Sequence, residues 1–292
     1  MTSSRPIVVA TDLNVNADDA IVEAHALALH RGVPLVVVHG LPDFFGIHPL
    51  FPHLNVSESF SLASVERKAG EAVSRRVTEL TGRQAGEFEV FLETGSPHSA
   101  ILEVAERSNA ELIVVGAHGG GLEGVLGNVT RQVVRHAHAS VLVVRAPASE
   151  RSGDVLIATD FSPSAGDAVS EGQREAERLG RKVTLLYSLD FVPQRYAVPF
   201  IDAPLPSSGD LADMQRELSR MLADEAGKIG ATPQFRTGPA SQAISETAGE
   251  LECPLVVVAT HGRTGIGRLA LGSVAEKVVE KAPCSVLVAR SR

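Results

Sequence analysis

Residues 255–273 read Leu255-Val-Val-Val-Ala259-Thr-His261-Gly262-Arg263-Thr-Gly265-Ile-Gly267-Arg268-Leu-Ala-Leu-Gly272-Ser273, and a helix-like stretch follows over 274–281. An uninterrupted β-branched run without polar alternation is the pattern of a strand covered on both faces, as in parallel sheets. The glycines after it let the backbone turn and approach a ligand closely, and free amides at the start of the next helix attract an anion. Strand, glycine loop and helix in that order make a phosphate cradle. Neither standard motif is complete. Gly262 and Gly267 have the first spacing of a P-loop, but Arg268-Leu269 stands where Lys and Ser/Thr are needed, and Gly265-x-Gly267 lacks the third glycine of the dinucleotide fold.

Outward from this stretch, the same markers occur twice in the same order. Ile7-Val-Val-Ala-Thr-Asp12 returns as Val155-Leu-Ile-Ala-Thr-Asp160, and Thr94-Gly95-Ser-Pro97 returns as Thr237-Gly238-Pro239. Leu112-Ile-Val-Val-Gly116-Ala-His118-Gly119 precedes the corresponding run from Leu255 to Gly262. Ser140-Val-Leu-Val-Val-Arg145 and Ser285-Val-Leu-Val-Ala-Arg290 close the two halves alike. Ordered recurrence of this kind indicates duplication. The length of 292 residues agrees with it, being about twice that of a single domain of roughly 100–200 residues. We expect one domain over 1–147 and a second over 152–292, with the polar joint 146–153 between them.

Each copy reads as a Rossmann-like α/β domain, a five-stranded parallel sheet with helices on both faces. Strands are expected near 6–11, 34–39, 87–92, 111–116 and 140–145, and again near 154–159, 182–188, 232–236, 254–260 and 285–289. Residues 57–82 and 210–230 read as longer amphipathic helices. Ser96-Pro97 and Ser162-Pro163 each suit an N-cap followed by proline at the first helical position. The stretches 41–55 and 190–208, rich in Pro and Phe, are loops of a length that is uncommon unless they bind or cover something.

Composition narrows the function classes. Apolar residues make up 44% against 21% charged, a globular balance. The net charge of −8 argues against nucleic acid or an anionic membrane as the main partner, because phosphate backbones are held by concentrated Lys and Arg. No apolar run approaches the roughly 20 residues of a membrane span, and no signal-like stretch follows the start, so a cytoplasmic location is expected. Cys253 and Cys284 make no disulfide framework and read as small buried residues entering strands.

His261-Gly262, nine residues, then Gly272-Ser273 resembles the ATP-binding signature of the universal stress proteins: Gly, two residues, Gly, nine residues, Gly and Ser or Thr. The likeness runs over nearly the whole chain, twice. It implies a tandem member of the adenine nucleotide alpha hydrolase-like group, its copies packed as a pseudo-dimer through strands 140–145 and 285–289. It further implies an ATP-binding stress or regulatory protein whose occupancy alters conformation or the choice of a protein partner, with Mg2+ accompanying the nucleotide. Gly262, Gly272 and Ser273 would hold the phosphates, with His261, Arg263 and Arg268 around them. Asp160 would lie beside the nucleotide, and Ser188 would be the backbone position facing adenine. Ala259 takes the place of the family's first glycine, near the ribose.

The first copy departs further, with Gly116 and Gly119 followed by only seven residues before Gly127-Asn128. Its loop carries Glu123 and no Lys or Arg, so a triphosphate is repelled there and favoured in the second copy. Asp12 would correspond to Asp160. Blander uses stand beside these: Asp12 and Asp160 as caps of the first helix of each copy, His118 and His261 as turn-shaping hydrogen-bonding groups, His136 and His138 at a helix end, His48 and His53 as loop residues, and Arg263 and Arg268 as solvated charge. Two other functions remain open. One is a nucleotide-independent scaffold, and the other is a slow ATPase or nucleotidyl transferase, for which no positioned base or acceptor pocket is visible. Homodimerisation is compatible with the sequence.

Overall fold

The computed structural model describes residues 4–41, 62–117, 126–145, 150–190, 208–260 and 271–290. The chain divides into two compact units, Met1–Pro147 and Ala148–Arg292.

In the first unit, β1 (Ile7–Ala10), β2 (Leu35–Leu41), β3 (Glu89–Thr94), β4 (Leu112–Gly116) and β5 (Ser140–Val144) form a parallel sheet in the order β3-β2-β1-β4-β5. Its helices are α1 (Asp18–Arg31), α2 (Leu62–Thr81), α3 (Pro97–Arg107) and α4 (Asn128–His136). Ile7, Val8 and Val9 are all fully buried, which is why β1 reads as an unbroken apolar run: helices cover both its faces.

The second unit repeats the plan. Strands β6 (Val155–Ala158), β7 (Val183–Leu189), β8 (Thr232–Thr237), β9 (Leu255–Ala259) and β10 (Ser285–Ala289) run parallel in the order β8-β7-β6-β9-β10. Helices α5 (Pro163–Leu179), α6 (Ser208–Lys228), α7 (Ala240–Glu250) and α8 (Ser273–Lys281) accompany them. Gly32 and Gly180 end α1 and α5 in the left-handed conformation, at φ 64° and 63°, which glycine adopts without a Cβ penalty.

In both units the strand order reverses beside the first strand, with β2 and β4 flanking β1 and β7 and β9 flanking β6. In such sheets a crevice opens at the carboxyl ends of the strands where the order reverses, and ligands bind there. The α/β class and the parallel sheets agree with the sequence. Ser96 and Ser162 both stand at the N-cap with proline following, as expected. Ser162 accepts from Ala165 N at 3.3 Å, whereas the Ser96 hydroxyl donates to Ser99 Oγ at 2.7 Å and makes no cap bond of its own. Asp12 and Asp160 each accept from the backbone amide two residues on.

Candidate functional site

The carboxyl end of β6 is shaped by its own side chains. Thr159 Oγ1 accepts from Phe161 N at 3.1 Å, and Asp160 Oδ1 accepts from Ser162 N at 2.9 Å. These two short-range bonds hold Phe161 at φ 61°, a conformation that costs a non-glycine residue about 1–2 kcal/mol. The first unit repeats the device. Leu13 N donates to Thr11 Oγ1 at 3.0 Å, Asn14 N to Asp12 Oδ1 at 3.0 Å, and Leu13 has φ 63°. His39 Nδ1, 2.8 Å from the Thr11 carbonyl oxygen, must carry the proton of that bond. Each aspartate is thereby fixed at the mouth of the crevice.

Opposite stands a helix whose cap has no side chain. Gly272 caps α8 and Gly127 caps α4, both in extended backbone conformation. Gly272 N donates to Thr260 O at 2.7 Å and Gly127 N to Ala117 O at 2.8 Å, which ties each helix start to the end of the neighbouring strand. The next amides, those of Ser273 and Val274 or of Asn128 and Val129, have no acceptor within their own helix, since the first turn of any α-helix leaves its N–H groups unpaired there. Aligned peptide dipoles add partial positive charge at the same place.

Between aspartate and helix lies a cavity in each unit. In the second it measures about 170 Å3, with Asp160, Ala259, Gly272 and Ser273 on its wall. In the first it measures about 310 Å3, walled by the corresponding Asp12, Gly116, Gly127 and Asn128. The structure thus brings together, within each unit, residues that lie far apart in sequence. Sequence reasoning missed Ala240 and Ile244 of α7, and Gly40, Pro97 and Ile101 in the first unit. A comparison of the two copies position by position could have pointed to Gly40, because Ser188 stands in its place.

Ser188 is not on the wall of its cavity. Its hydroxyl donates to Gly238 O at 2.8 Å. Gly119, His261, Gly262, Arg263 and Arg268 lie outside the described residues, as do His48, His53 and His118. His136 is the last residue of α4 and His138 lies beyond it, where positive charge faces the helix carbonyls. Among the described residues, no group of three or more His, Cys, Asp or Glu side chains is placed to hold a metal ion. Among the same residues, no helix is long and apolar enough to cross a membrane.

Cys253 and Cys284 are both buried thiols, and burial pushes Cys253 up to about 12, with the Cys284 and Asp154 charges acting in the same direction. They stand at the opposite end of the sheet from the cavity, each entering its strand just before the paired residues Leu255 and Ser285.

Comparison with known proteins gives a consistent result. The model of the universal stress protein family matches residues 3–145 and again 152–290. A universal stress protein of Mycobacterium tuberculosis is 25% identical over 295 residues, covering 97% of this chain and 96% of the relative. One from Mycolicibacterium smegmatis is 27% identical over 301 residues, covering 98% and 97%. Among solved structures, a universal stress protein from Archaeoglobus fulgidus superposes with a TM-score of 0.62 at 18% identity, covering 99% of both chains. That last likeness is one of fold.

Proposed function

The chain belongs to the universal stress protein family, matched twice along its length, and from that premise we propose that it is an adenine-nucleotide-binding regulatory protein whose phosphate receptor lies chiefly in the second unit. The observation that carries this reading is the start of α8. A glycine cap, tied to Thr260 O, leaves the first-turn amides of Ser273 and Val274 facing a crevice at the strand-order reversal. Backbone donors and the helix dipole favour a phosphate there without any side chain moving. Arg263 and Arg268, in the segment that joins β9 to α8, supply the cationic charge that the first copy lacks. Asp160, held in its turn, suits a hydroxyl donor such as a ribose, because a carboxylate accepts hydrogen bonds and repels phosphate.

ATP is the nucleotide this arrangement fits best. Mg2+ would travel with its phosphates and need few protein ligands. Binding that favours one conformation over another is enough for regulation and requires no turnover. Gly272→Val together with Ser273→Ala should remove most ATP binding in titration calorimetry, because a branched side chain at the cap intrudes on the phosphate position. Gly127→Val should leave ATP affinity within about twofold. Retention of ATP by the first variant and its loss from the second would refute the assignment. A chain that binds no adenine nucleotide in either form would instead act through protein contacts alone.

A further inference from the structure

The two units differ where they should match. The first cavity measures about 310 Å3 and the second about 170 Å3. Two positions differ between the copies there. Gly40 takes the position of Ser188, so the hydroxyl bond to Gly238 O has no counterpart in the first unit, and Gly40 lies on its cavity wall where Ser188 does not. Gly116 takes the position of Ala259 and adds no methyl group at the end of β4. The first cavity therefore extends along β2 as far as Val38 and Gly40, and Pro97 and Ile101 of α3 form its far side. Its apolar faces suit a flat ring, and the fixed Asp12 carboxylate at the mouth suits hydroxyl donors.

The sequences that join the fourth strand of each unit to the next helix differ in charge. The segment between Ala117 and Gly127 is two residues shorter than its counterpart, has Glu123, and has neither lysine nor arginine. Nothing in that segment offsets several negative charges, and Asp12 adds one of its own sign.

We propose that the first unit's cavity is a receptor for an uncharged nucleoside and excludes nucleotides bearing a polyphosphate, so that the two copies have divided one ancestral site between them. This rests on the reading above only in taking the carboxyl end of the sheet as the place where a nucleoside docks. The full chain is titrated with adenosine and with ATP as separate probes, for the parent and three variants. Val129→Phe fills the cavity from the half-buried first turn of α4. Gly40→Ser restores the second unit's side chain, although an ideal Cβ there stands 3.2 Å from Pro97 Cα and this variant alone could perturb folding. Gly272→Val/Ser273→Ala disables the other unit.

The expected result is one adenosine site, weakened tenfold or more by Val129→Phe and by Gly40→Ser, and unchanged in Gly272→Val/Ser273→Ala. ATP should not displace adenosine from that last variant. No adenosine binding, wild-type affinity in Val129→Phe, or displacement by ATP would each overturn the proposal. Failure of the second-unit reading is separately visible, as ATP binding that survives Gly272→Val/Ser273→Ala.

Discussion

Thr159 and Asp160 are a pair of adjacent side chains that convert the end of a strand into a fixed turn, and Thr11 and Asp12 do the same in the first unit. The sequence displays Thr-Asp twice, but nothing local tells which backbone amide each oxygen accepts from. That choice depends on Phe161 and Leu13 entering the left-handed region, which residue type alone does not suggest. Thr159→Val preserves shape and leaves the Phe161 amide without its acceptor, so it should destabilise the second unit by about 1–2 kcal/mol in denaturant titration. A loss below about 0.3 kcal/mol would mean that Asp160 alone holds the turn. The buried thiols make a second prediction at this scale. Cys253 is raised from its ordinary 9.0 to about 12 in the folded state, so above pH 9 the unfolded chain loses a proton that the folded chain keeps. Stability from this group is fully present below pH 9 and declines as pH rises toward 12. Cys253→Ala should flatten that decline in a pH series of urea midpoints.

Helices and strands were far more legible than the site, because their signal is periodic and local. The sequence reading located all ten strands among the described residues to within a few positions, and residues 57–82 and 210–230 contain or overlap α2 and α6. The walls were legible only in part: Asp12, Gly116, Gly127 and Asn128 follow from the repeated markers, whereas Gly40, Pro97 and Ile101 come from β2 and α3 and meet them only through sheet order. Duplication offers a test of how such elements fit. On α5, Gly172 packs so closely on β6 that an added Cβ would meet Ile157 Cδ1 at 2.4 Å and Cγ1 at 2.6 Å. In the first unit the corresponding positions are Ala24 and Val9, both fully buried, so one methyl group has moved from helix to strand. Gly172→Ala should therefore cost about 1–3 kcal/mol through overpacking, despite gaining about 1 kcal/mol of helix propensity. Ile157→Val should cost about 0.5–1.5 kcal/mol alone. The double variant should be more stable than either single one, and additive losses in the cycle would show that the two side chains do not compete for the same space.

At the scale of the whole molecule, duplication leaves two similar units with different side chains at the same place, and both cysteines fall in the second. Cys253 and Cys284 are both buried in the folded state, so a thiol reagent reaches them only when that unit opens. Labelling rate thus reports opening of the second unit and is blind to the first. A ligand that binds only the closed form lowers the open population by the factor 1 + [L]/Kd, which at 100 times Kd is about 2.7 kcal/mol, or roughly a hundredfold. Near neutral pH, with labelling slower than reclosing, saturating ATP should slow modification of both thiols by about that factor. Adenosine at the same multiple of its own Kd should leave the rate unchanged while still releasing heat in calorimetry. Equal protection by both ligands would place them in one unit. Protection by adenosine alone would reverse the assignment of phosphate and nucleoside between the copies, since the thiols can sense only the copy that contains them.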